Sequence, residues 1–172
     1  LEIEDARREF IYKQIHNIIN NKVGTTAFDI QYNGKTYYDI DLSKELSLIH
    51  QFIVSKGTMP QMAGTEITDQ AYMIKAQIGC IYEEELYDFD IFTEYHGADR
   101  GKSILAHIGD VPNERNDMIV SIKAYLVEEH LGIKINKTYT VTIDAKHNKY
   151  HVRRARRRTS EVQRVLQDLI HN

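Results

Sequence analysis

Two short stretches of this 172-residue chain carry residue types that do chemistry. The first is Asp144-Ala145-Lys146, closing an alternating run, Thr-Ile-Asp-Ala-Lys. A carboxylate can hold a divalent cation, and a lysine beside it can position an attacking water or stabilise charge on a phosphate. On a strand, residues two apart share a face, so Asp144 and Lys146 are expected side by side. The second stretch follows closely: Arg153, Arg154, Arg156, Arg157 and Arg158, five guanidinium groups in six residues. Guanidinium binds phosphate bidentately, and Tyr150 and His151 just ahead can stack on bases. These arginines are therefore the candidate nucleic-acid contacts.

The Asp-x-Lys strand, followed by another strand and a helix bearing Gln163, resembles the second half of the PD-(D/E)xK nuclease motif. The resemblance implies metal-dependent cleavage of nucleic acid, with Asp144 as ligand of a Mg2+ cofactor and Lys146 beside it. A second carboxylate would then come from Asp110 or Asp117.

Other constellations are weaker. Asp39-Ile40-Asp41 and Asp88-Phe89-Asp90 each put two carboxylates on one strand face, where they can share a magnesium ion. A half-buried strand with an acidic wet face gives the same pattern without any metal. Residues 96–103, His-Gly-Ala-Asp-Arg-Gly-Lys-Ser, fall one residue short of a phosphate-binding loop, so a polar loop is expected there. His147 and His151 are four apart, a helical ligand spacing in a segment that reads as turn and strand, and no metal is expected on them. Cys80 is the sole cysteine, which excludes an internal disulfide framework; it reads as an inert buried thiol on a helix.

Charge is more informative mapped than summed. Net charge is −3 and the isoelectric point is near 6.3. Residues 83–94 nevertheless hold six acids and no base, and residues 146–158 hold seven bases and no acid. Two function classes follow. One is a nucleic-acid-contacting protein using the arginine segment, with or without cleavage. The other is a non-catalytic adaptor, chaperone or inhibitor that presents its acidic strand to another protein, the arginines pairing with the acids across a sheet. No apolar run approaches the roughly 20 residues that cross a bilayer, and the first residues are too polar for a signal peptide. A cytoplasmic protein without a membrane partner is expected.

The elements that must position these groups can be read from periodicity. Ile11, Ile15, Ile18 and Ile19 form one stripe of a helix over 3–22. Two strands surround Asn33-Gly34, and a three-residue loop that sets Phe28 opposite Tyr38 keeps their apolar residues on one face. Ser43 is placed to cap a helix carrying Leu46, Ile49 and Ile53 and stopping at Gly57. Ile67, Ala71, Ile74, Ile78 and Ile81 fit a longer helix opening at Thr68-Asp69. Residues 86–95 alternate as a strand, and 103–111 read as a short one. A helix over 113–131 carries Ile119, Ile122 and Leu126, ended by Gly132. A hairpin around His147-Asn148 and a helix with Val162, Val165, Leu166 and Leu169 complete the chain. The order is α-ββ-α-α-ββ-α-ββ-α: one α+β domain over 1–172, with a mainly antiparallel sheet of hairpins and helices on one face. Residues 3–56 and 113–171 repeat the pattern helix, hairpin, helix.

Overall fold

The computed structural model describes residues 2–20, 24–92 and 111–171. The loop read at 96–103, most of the strand read at 103–111, and Asp110 lie outside them. The architecture is α+β, and antiparallel pairing dominates. In chain order the elements are α1 (Glu2–Asn20), β1 (Ala27–Tyr32), β2 (Lys35–Asp41), α2 (Ser43–Ser55), β3 (Met62–Ala63), β4 (Glu66–Asp69) and β5 (Ile74–Gln77). There follow β6 (Cys80–Tyr82), β7 (Glu85–Phe92), α3 (Val111–Leu131), β8 (Lys137–Asp144), β9 (Lys149–Ala155) and α4 (Thr159–His171). The central sheet runs β3-β6-β7-β8-β9, while β1-β2 and β4-β5 stand as separate hairpins. One pairing, β7 with β8, is parallel, and α3 is the crossover between them.

Alternation along the strands divides the core in two. Tyr87, Phe89 and Ile91 of β7, with Val141 and Ile143 of β8, pack with α1 and α2. Leu86 of β7 and Ala155 of β9 pack with Val120, Ala124 and Val127 of α3. Helices therefore cover both faces of the sheet, because β7 and β8 are apolar on one face and half apolar on the other. This corrects the expected one-sided arrangement. The buried face of α3 also carries Asp117 and Ser121, and Ile119 is turned outward at 38% exposure. The stripe read through Ile119 was thus one residue out of phase with the one that packs.

The expected helix over Ile67–Ile81 is instead three strands. The Asp69 carboxylate accepts the Tyr72 N–H at 3.0 Å, closing a turn that Met73 completes at φ 55°. Ile67 and Ala76 then pair across the β4–β5 hairpin, and Cys80 lies buried in β6. β-Branched residues and alternation over residues 74–80 favour strands, and a helical stripe of isoleucines is indistinguishable from them by spacing alone. Burial pushes the Cys80 thiol up to about 12, so it is inert at neutral pH. The Tyr72 N–H, then His130 at 2.7 Å, hold the Asp69 carboxyl below its ordinary range. A depressed carboxyl contributes stability above its unfolded pKa and loses it as pH falls through the folded value. Acid titration of the melting temperature is therefore expected to show a step in that window that Asp69→Asn removes; an identical acid limb in the variant would refute the assignment.

The first hairpin corrects the register. Asn33 (φ 51°) and Gly34 (φ 75°) form a two-residue turn, with Ile30 opposite Tyr37. The apolar alignment that had favoured a longer loop is met by a bulge: the register shifts so that Phe28 faces Ile40. Asp39 takes φ 53° and donates its N–H to Asp29 Oδ1 at 2.9 Å. The extra residue lets Tyr37 and Ile40, three apart, both pack on the core. At α2 the capping carboxylate is Asp41, accepting the Ser43 N–H at 2.9 Å, in place of the expected Ser43 side chain.

α1 closes an edge that β6 leaves open. β6 pairs with β7 only as far as Tyr87. Beyond it, Tyr12 Oη accepts the Phe89 N–H at 3.1 Å and lies 2.9 Å from the Phe89 carbonyl, and Arg8 Nε donates to the Ile91 carbonyl at 3.4 Å. Four helical residues rise about 6 Å and two strand residues about 6.6 Å, so an i, i+4 pair on α1 meets alternate residues of β7.

Candidate nucleic-acid interface

The β8–β9 hairpin carries most of the residues that the sequence singles out. Asp144 ends β8 and accepts the His147 backbone N–H at 3.1 Å, with His147 Nδ1 at 2.7 Å from its second oxygen. Its carboxylate builds the turn. Ala145 is already in that turn, so strand alternation stops before Lys146, which is exposed to solvent. The expected side-by-side arrangement of Asp144 and Lys146 therefore lacks the strand that would impose it. Asp117, the candidate second carboxylate within the described residues, is buried and bound to Arg153 at 2.7 Å.

The arginine run is split by the period of the strand. Arg153 points to α3 and Asp117, and Arg157 pairs with Glu128 of α3 while donating to the Ile135 carbonyl at 2.5 Å. Burial pushes the Glu128 carboxyl up, but Arg157 and the Ile135 N–H outweigh it and leave it below its ordinary range. Arg158 lies 4.0 Å from Asp117 and 3.9 Å from Glu161. These three guanidinium groups are engaged by acids of α3 and α4. Arg154 and Arg156 are exposed, and neither has an ion-pair partner among the described residues. Arg154 lies over the Tyr139 ring at 5.7 Å, in register beside it. Tyr139 in turn stacks on Tyr87 at 4.5 Å with ring planes 6° apart. Lys56, just past α2, sits 4.4 Å above Tyr87 and donates to its hydroxyl at 2.7 Å.

Among the described residues β9 is the last strand of the sheet, with no strand beside its outer edge. Lys146, Lys149, Arg154 and Arg156 are all exposed along this hairpin, with no acid between residues 145 and 158. His151 and Val152 are exposed on the same strand.

The acidic run is placed quite differently. β7 is interior, flanked by β6 and β8. Asp88 is buried and accepts from Tyr12 Oη and Lys123 Nζ, each at 2.7 Å. Burial first, then the Asp88 charge, raises the Tyr12 hydroxyl well above its ordinary range, so it remains a neutral donor. Asp90 accepts from Asn116 Nδ2 at 3.1 Å, and Glu85 meets the hydroxyls of Tyr87 and Tyr139. Among the described residues the acidic and basic runs do not pair with each other: β8 separates their strands, and α3 supplies partners to both. Sequence inspection missed Lys123, Tyr12 and Asn116, which lie 35, 76 and 26 residues from the carboxylates they meet. The available signal was the polar residues interrupting α3.

Among the described residues no group of three or more His, Cys, Asp or Glu side chains is arranged to hold a metal, and no helix is long and apolar enough to cross a membrane. No protein-family model matches the chain, and no curated protein is similar to it.

Proposed function

We propose that this protein contacts nucleic acid along the β9 edge, through Lys146, Lys149, Arg154 and Arg156. One observation supports this above the rest: these four exposed cations lie on one hairpin and the residue just past it, with no carboxylate partner among the described residues, while the neighbouring arginines are bound to acids of α3. From Lys149 to Arg156 the edge spans about 23 Å, enough to follow several phosphates of a single strand. Arg154 on Tyr139 offers a planar cation beside an aromatic ring, a surface suited to a base. Basic side chains on an edge strand also discourage pairing with other strands, so binding must be measured beside stability.

The test is salt-dependent retention of the full chain on single-stranded DNA and RNA, with Arg154→Glu/Arg156→Glu as the variant. Retention should fall as salt rises, and each phosphate contact removed should flatten the log–log slope by about 0.7. The double variant should melt within a few degrees of the parent, since neither arginine has an acidic partner to lose among the described residues. Unretained parent protein at low salt, or a variant retained as well as the parent, would overturn the proposal.

A further inference from the structure

The geometry points to a pocket for an unpaired guanine base, walled by Lys56, Met59, Tyr82, Glu83 and Glu85. It deepens the nucleic-acid reading above and rests on it, adding a base-selective site to the contact along β9. The five residues line a cavity of about 400 Å3 between the segment after α2 and the β6–β7 turn. Ligand pockets begin at about 300 Å3, so the space suffices for a base.

Three of the lining groups have bonds left to make. Tyr82 is 6% exposed, and its hydroxyl has no hydrogen-bond partner among the described residues. Burial raises that hydroxyl above its ordinary range, so it stays protonated and can donate. Glu83 is exposed on the turn, and its carboxylate has no partner among the described residues. Lys56 is half-buried and gives one N–H to the Tyr87 hydroxyl at 2.7 Å, which leaves two for a ligand. Its ammonium lies 5.2 Å from the centre of the Tyr82 ring, so the two donors stand on one wall. Glu85, by contrast, is spent on the hydroxyls of Tyr87 and Tyr139.

An occupant must therefore give donors to a carboxylate and offer acceptors to an ammonium and a hydroxyl. It should also be flat, to lie against an aromatic ring and the polarizable Met59 side chain. Guanine meets each demand. Its N1–H and N2–H groups lie side by side for a carboxylate, O6 is next to them for an ammonium, and its ring nitrogens accept from a hydroxyl. Adenine and cytosine set a ring lone pair against the carboxylate, and thymine and uracil offer it one N–H between two carbonyls. Unpaired bases are read on these edges, and a wrong base leaves the site's polar groups unpaired.

The place suits a strand lying along β9. Tyr87, Tyr139 and Arg154 stand in register across three strands, and the row spans two strand spacings, about 10 Å. Arg154 lies over Tyr139, Tyr139 stacks on Tyr87, and Lys56 sits over Tyr87. The row thus joins the exposed arginine to the lysine of the cavity wall.

The experiment uses the full chain in two arms. Calorimetric titration compares GMP with AMP, and fluorescence anisotropy compares labelled oligothymidylate with the same strand carrying one central dG. GMP is expected to bind about 10-fold or more tightly than AMP, and the dG strand to gain by a similar factor. Glu83→Gln should erase both preferences and leave salt-dependent binding of oligothymidylate unchanged. Tyr82→Phe removes only a hydroxyl that is unpaired in the free protein. Its urea midpoint should be equal to or higher than the parent's, while GMP affinity falls about 5-fold. A preference for GMP without a gain from dG assigns the pocket to a free guanine nucleotide. No guanine preference in either arm, or one that both variants leave intact, would sink the proposal. If oligothymidylate is not bound at any salt while the GMP preference holds, the pocket stands and the contact along β9 falls.

Discussion

Replacing Lys123 by Met is expected to lower folding stability by about 3–5 kcal/mol, the cost of leaving a buried carboxylate without its cation. The Lys123 side chain is 14% exposed and that of Asp88 is 9% exposed, so little solvent is available to take the ammonium's place. Lys123 also lies 4.9 Å from the centre of the Tyr12 ring, and Tyr12 holds the free edge of β7. The loss should therefore reach beyond one ion pair. A double-mutant cycle separates charge from packing: Asp88→Asn in the Lys123→Met background removes the stranded charge and should restore much of the stability. Urea denaturation provides the measurement. A double variant no more stable than Lys123→Met alone would show that the ammonium acts through packing.

Gly79→Ala is expected to cost as much, for steric reasons alone. A Cβ at this position would lie 2.2 Å from the Tyr87 carbonyl oxygen and 3.1 Å from Phe89 Cδ2. Both belong to β7, whose backbone is fixed by eight register positions with β8 and cannot retreat. The Gly79 carbonyl meanwhile accepts the Gly64 N–H at 2.9 Å. Overpacking a tight site typically costs 1–3 kcal/mol, and a clash with immobile backbone belongs at or above the top of that range, about 3 kcal/mol. Gly24→Ala is the control: nothing lies within 4 Å of its added Cβ, and a change within about 0.5 kcal/mol is expected. Similar urea midpoints for the two variants would refute the steric account.

Much of the fold was legible in the residues. The helical stripes of α1 and α2, the Asn33-Gly34 turn, Gly57 and Gly132 past the helix ends, and the β8–β9 hairpin all follow from local periodicity and turn chemistry. The errors have local causes too. At 67–81 the isoleucine spacing fits a helix, and only the Asp69 turn and the pairing of Ile67 with Ala76 select strands. On β2 the expected register through a three-residue loop fails: Ile30 faces Tyr37 across a two-residue turn, and a bulge at Asp39 brings Phe28 opposite Ile40.

For the charged groups the boundary lies elsewhere. Composition and order alone determined that this chain carries an acidic run and a basic run, and that the basic run follows a hairpin. Strand period also implied that Arg153 and Arg154 must face opposite sides. Which side meets an acid depends on where α3 lands, because Asp117 and Glu128 approach only through the crossover that makes β7 and β8 parallel. The same crossover brings Lys123 to Asp88 and leaves β9 as the last strand of the sheet among the described residues. Long-range pairing of this kind leaves no spacing in the chain. It arises because a buried charge must find a partner, and the packing of helix on sheet decides which one is within reach.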